Sequence, residues 1–189
     1  MTSSPSPNFL QQLDAAYADV LALLTMPPKQ LTRPPAPGHW SALQCVEHIV
    51  LTNQAYFPGI TRATEEALAR GDVARGPYHY SLMAKLLVWA VEPPSRVKVP
   101  VPSPKVVPEQ TLTVDQVRRA YIDEYTAFRA CIAKAVMIDL RKTEMHSPFF
   151  HRLSFSVGTA LGVLLGHERR HIHQARRAAL MNGKGEVSR

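Results

Sequence analysis

Near the C-terminus stands Gly166-His167-Glu168-Arg169-Arg170-His171-Ile172-His173-Gln174, within a proline-free stretch of good helix formers. On a helix, residues four apart share a face, with Cβ atoms about 5–6 Å apart. His167 and His171 therefore offer two imidazoles to one point, and Gln174 falls on the same face. Two histidines so spaced chelate a divalent metal when at least one more ligand comes from elsewhere. His173 is turned about 200° from His171 and is expected to face solvent. The competing reading of the pair is a solvated basic face that happens to carry histidines, because Arg169 and Arg170 lie beside them.

A third nitrogen is available in the first half of the chain. Ser41 followed three residues later by Gln44 is a capping-box pattern, so a helix is expected to start there. Leu43, Val46, Ile49 and Val50 give that helix an apolar stripe, and His48 lies close to it. Taken alone, His48 is a core-edge histidine bonded to a carbonyl. Beside the His167/His171 pair it becomes the candidate third ligand, because metal sites in helix bundles are built from inward-facing side chains of facing helices. Gln174 is expected to hydrogen-bond a ligand or a metal-bound water, or else to be a helix-packing amide. Glu47 is expected to pair with a basic residue rather than act as a base. Cys45 reads as a small core residue within reach of the cavity. Tyr121 and Glu124 fall on the apolar face of a later helix and are candidates for the cavity wall. A buried Glu124 needs a partner, for which an arginine of the last helix is the candidate. His39, His79, His146 and His151 fall in or near connections and are assigned to the surface.

Four substantial helices position these residues. The first runs from an Asn8 cap to just before Pro27-Pro28. The second runs from Ser41 to Arg70-Gly71, bending at Pro58-Gly59. A short helix spans Ser81 to Val91, and Thr113 with Gln116 caps the third long helix. The last starts near Ser156 and ends near Asn182-Gly183, where glycine suits the left-handed position. The linker from Pro27 to Gly38 holds five prolines and is not expected to be helical inside. Residues 92–112 form a long proline-rich connection, read as an extended lid, and Asp139 to His146 as a polar connection. Residues 1–7 are expected to be disordered. The fold class is all-α, a four-helix bundle with a short extra helix, as one domain over residues 1–189.

Bulk properties exclude several classes. Cys45 and Cys131 form no CxxC pair and no disulfide framework, which points to a reducing cytoplasm. No signal peptide or membrane-spanning run is evident. The net charge of +7 gathers late in the chain, where the helix dipole favours cations. Without aromatic interleaving, it argues only weakly for nucleic acid. Nucleophile elbow, phosphate loop and dinucleotide fingerprint are all missing.

Trp40-Ser41 followed by Glu47-His48, with the later His167-x-x-Arg170-His171-x-x-Gln174, resembles the DinB/YfiT-like superfamily. The resemblance covers almost the whole chain, including the Ser147-Pro148 turn before the last helix. It implies a four-helix bundle with a three-histidine metal site, often dimeric, with His48, His167 and His171 as ligands. It further implies thiol-dependent transferases or isomerases that use bacillithiol, mycothiol or glutathione.

Imidazole ligands suit zinc or nickel, with manganese or iron less so. Three protein ligands leave a position open to water, as in catalytic sites. The metal would depress the pKa of a bound water or thiol, giving either hydrolysis or thiolate attack on an electrophilic small molecule. Because the ligands must be neutral, metal affinity is expected to fall below about pH 6. A non-catalytic metal- or ligand-binding bundle shares every ligand with this reading. A basic nucleic-acid-binding protein is the remaining alternative.

Overall fold

Each long helix begins where a side chain satisfies its first backbone N–H groups. In the computed structural model, which describes residues 8–74, 77–93, 101–150 and 152–184, α1 (Phe9–Leu23) is capped by Asn8. Helix α3 (Ala42–Ala69) carries the full Ser41/Gln44 capping box, and α5 (Val114–Ala135) the Thr113/Gln116 box. The Ser156 hydroxyl accepts from the Thr159 N–H at the start of α6 (Val157–Lys184). Between these lie the short α2 (Pro28–Thr32), α4 (Leu82–Val91) capped by Ser81, and a 3₁₀ turn at Pro104–Val106. The chain is mostly helical, as expected.

Heptad-like stripes decide which faces are buried. On α3 the stripe is Val46, Ile49, Asn53, Tyr56, Ile60, Ala63 and Ala67; on α5 it is Val117, Tyr121, Glu124, Phe128, Ile132 and Ala135. On α6 it is Leu161, Leu165, Glu168, Ile172, Ala175 and Ala179. Helix α3 packs against both α5 and α6, and α1 packs on the same two helices. Val46 and Ile49 share a hydrophobic cluster with Ile172 and Ala175, whereas Tyr56 and Ile60 share one with Leu161 and Leu164. Helices α3 and α6 therefore run antiparallel, which brings His48 level with the end of α6 that carries the histidine pair.

Helix α4 and the segment before it lie on α6, and small residues permit the approach. A Cβ at Gly158 or Gly162 would collide with the rings of Tyr78 and Tyr80, respectively. This close packing holds Leu87 and Val91 over the histidine-bearing face of α6.

Three expectations are corrected. The Pro27–Gly38 linker does contain a helix, α2, because Pro28 sits in its first turn, where its missing N–H would have had no partner. The connection after Asp139 forms a hairpin: β1 (Glu144–His146) pairs antiparallel with β2 (Ser154–Ser156), with Met145 opposite Phe155. Alternation over three residues is too short a period to read from sequence. Helix α6 continues through Gly183 to Lys184; Gly38 and Gly71 are the described glycines with positive φ. The described part of the proline-rich connection holds a 3₁₀ turn at Pro104–Val106. The expected disorder of residues 1–7 and the surface position of His151 fall outside the described residues, as does most of the Val97–Val101 alternation. Among the described residues, no helix is long and apolar enough to cross a membrane.

Candidate metal centre

Antiparallel packing of α3 on α6 joins the three candidate histidines. The ring centroids of His48, His167 and His171 lie 5.1, 4.6 and 4.4 Å apart, pair by pair. One ligating atom from each falls within 4.8 Å of the others, a spread that could hold a metal ion. Trp40, held by the start of α3, packs its ring 4.8 Å from that of His48.

His48 is held from behind. Its Nδ1 lies 2.6 Å from the Val106 carbonyl oxygen. A carbonyl only accepts, so Nδ1 carries the proton and the Nε2 lone pair is left for a ligand. Val106 belongs to the proline-rich connection, which two neighbouring side chains fasten to α3. Gln44 Nε2 donates to the Glu109 carbonyl at 3.0 Å, and the Glu47 carboxylate accepts the Glu109 N–H at 2.7 Å. Glu47 thus staples a backbone, and among the described residues it forms none of the expected salt bridges.

His167 and His171 each leave a buried Nδ1 with no hydrogen-bond partner. Buried polar nitrogens are seldom left so, and orphaned nitrogens in two of three clustered imidazoles fit a bound cation. The electrostatics agree. Burial, then the neighbouring His171 and His48 and Arg170, hold His167 well below its ordinary range. Burial, His48 and Arg170 bring His171 down to about 3, with Gln174 opposing, and burial also lowers His48. Each shift favours the neutral ring, the form that binds a metal.

The cluster opens on a cavity of about 650 Å³. Trp40, Thr52, Tyr56, Phe149, Leu164 and Arg170 contribute to its wall, with Gln174 at the histidine end. His39 is exposed and lines the cavity, while His79, His146 and His173 are exposed elsewhere. Cys45 is fully buried in the core rather than in the cavity wall, and burial pushes its thiol up to about 12, which leaves it inert.

Tyr121 and Glu124 are also absent from the cavity wall. They belong to a polar layer inside the helices, where Asn53 Nδ2 donates to Glu124 Oε1 at 2.9 Å and to Glu168 Oε1 at 3.3 Å. Arg169, the expected kind of partner for Glu124, instead pairs with Glu92 and donates to Gln12. Burial raises Glu168 well above its ordinary range, and the nearby Glu124 carboxyl adds to the shift. Asn53, Glu168 and Thr52 were not singled out from the sequence. The signal for the first two was a polar residue inside each apolar heptad stripe; for Thr52 it was the four-residue step from His48.

The family model described as the DinB superfamily matches residues 12–175. No curated protein and no solved structure gives a match.

Proposed function

The chain belongs to the DinB superfamily, and from that premise we propose that it is a metal-dependent enzyme whose His48, His167 and His171 hold a divalent ion. The observation that carries this reading is the closed set of three neutral imidazoles opening on a cavity. Zinc or nickel suits the donor set, and the long helices α1, α3, α5 and α6 make up the four-helix bundle of the reading. When bound, the metal would make a coordinated thiol or water nucleophilic at neutral pH. The residues of the chain do the rest. The Val106 carbonyl fixes the His48 tautomer, Trp40 walls one side, and the apolar lining excludes water from an electrophilic small molecule. Among the described residues the cavity wall contains no cysteine or serine, so the nucleophile is supplied by the bound thiol or water. Thiol transfer and hydrolysis share this site, and binding of a thiol at the metal is what separates them.

Cobalt-substituted full-length protein titrated with a low-molecular-weight thiol tests both parts. A new thiolate-to-cobalt charge-transfer band is expected. An unchanged visible spectrum at saturating thiol would refute thiol activation, and failure to take up cobalt would refute the metal site. A homodimer belongs to the same reading. Leu82, Met83 and Leu86 are exposed on α4, an apolar surface that a second copy would cover. Sedimentation as a monomer at every concentration would remove it.

A further inference from the structure

Gln44, Glu47 and His48 stand three and four residues apart on α3, so their side chains share one face of the helix. All three bond to the same short piece of backbone. His48 Nδ1 meets the Val106 carbonyl at 2.6 Å. Three residues further along, Glu47 Oε2 accepts the Glu109 N–H at 2.7 Å, and Gln44 Nε2 donates to the Glu109 carbonyl at 3.0 Å.

The strap that they hold has little freedom of its own. Pro102, Pro104 and Pro108 each lock φ. The Ser103 hydroxyl accepts the Lys105 N–H at 3.2 Å, and the Val107 N–H reaches the Pro104 carbonyl at 3.2 Å, which closes the 3₁₀ turn. Val106 itself is only 1% exposed. Where the Val106 carbonyl sits thus depends on where this stiff segment is tied, and Glu109 is the tie. On its other side the strap supplies Val101 and Pro102 to the cavity wall.

A main-chain carbonyl is offered by any residue at position 106, so the side chains that place it are those of the clamp. Without that carbonyl, a neutral imidazole populates both tautomers, and only the one protonated at Nδ1 offers the Nε2 lone pair. Gln44 has a second duty, since its Oε1 accepts the Ser41 N–H in the capping box of α3. Glu47 is half-buried, and among the described residues its hydrogen bond goes to the strap alone. We propose that Glu47 is a positioning residue for His48: by clamping Glu109 it holds the Val106 carbonyl on Nδ1 and keeps the Nε2 lone pair free for a ligand. The placement of the ring stands on this chain's own hydrogen bonds, and its consequence for metal affinity rests on the metal reading above.

Two measurements on the full-length chain test this, with circular dichroism as the folding control. Long-range proton–nitrogen spectra of the metal-free protein read the His48 tautomer, assigned by comparison with His48→Gln. Competition against a chromophoric chelator reads cobalt affinity. Wild-type His48 is expected to be protonated at Nδ1. Glu47→Ala should mix the tautomers and weaken cobalt about tenfold, the lower end of what partners behind a metal ligand contribute. Glu47→Met, which keeps the stem without the acceptor, should do the same and serves if the alanine variant does not fold. Glu47→Gln keeps an acceptor oxygen without the charge, so it should retain the wild-type tautomer and most of the affinity. Glu66→Ala, which removes an exposed carboxylate elsewhere on α3, should change neither readout. An unchanged tautomer in both Glu47→Ala and Glu47→Met overturns the proposal. So does a Glu47→Gln protein as weak as Glu47→Ala, because that assigns the effect to the charge and not to the clamp. A chain that takes up no cobalt but shows the Glu47-dependent tautomer would sink the metal reading and leave the positioning role standing. Tight cobalt uptake indifferent to Glu47 would do the reverse.

Discussion

Replacing His167 by alanine is expected to strip the protein of bound metal while leaving it folded. Wild-type protein should carry about one divalent ion per chain and the variant less than roughly a tenth of that, because two imidazoles do not make a tight site. His167 is only partly buried and lies at the cavity edge of α6, outside the heptad stripe that packs on α3. Its loss therefore enlarges an existing cavity rather than breaching the core. Elemental analysis of tag-free protein, with circular dichroism as the folding control, provides the measurement. Equal, substoichiometric metal in both proteins would sink the site. Acidification adds a second arm. Because burial lowers all three histidines, wild-type occupancy should hold as pH falls from 8 through the ordinary histidine range. Steep loss near pH 6 would mean that the imidazoles are more solvated than their packing indicates.

Glu124→Gln is expected to stabilise the protein at pH 8 and to be nearly neutral at pH 5, unusual for a change at a buried charged residue. Burial pushes the Glu124 carboxyl from 4.5 up to about 7, with the Asn53 hydrogen bond acting against it. A carboxyl with a higher pKa folded than unfolded binds more protons in the folded state. Its contribution to stability is therefore complete below about 4.5 and is lost as pH rises through about 7. The melting temperature of the wild type should therefore fall relative to that of the variant as pH rises from 5 to 8. Glutamine mimics the protonated acid and still accepts from Asn53 Nδ2, so it removes the high-pH loss without opening a cavity. Glu168 loses the neighbouring carboxyl that raises it, which favours the variant at high pH in the same direction. Thermal melts of the pair at the two pH values read the difference directly; an equal loss of stability at both would show that Glu124 is ionised and needed as such.

The polar layer also shows where sequence reading stops. The stripes on α3, α5 and α6 are periodic and local, so the helices, their caps and their buried faces could be read residue by residue. Glu124 was seen to sit in the apolar face of its helix. That it meets Asn53 and Glu168, rather than an arginine, depends on how three helices are staggered, and no single helix encodes that offset. Arg169 points to Glu92 and Gln12 because α6 presents it toward α1 and the end of α4, about 100° away from the Glu168 that precedes it.

The metal site divides in the same way. His167 and His171 were a pair from the start, because a four-residue step on a helix places side chains together whatever surrounds them. His48 could be named as the third ligand but not placed, since level contact with α6 requires the antiparallel packing of α3. The proline-rich connection was a gap in the sequence reading, and its carbonyl at Val106 sets the His48 tautomer across 58 residues. The cavity likewise exists only once two helices line it in opposite directions. Local periodicity determined the ligands and the faces. Packing between distant segments decided which lone pair points inward and which piece of backbone holds it there.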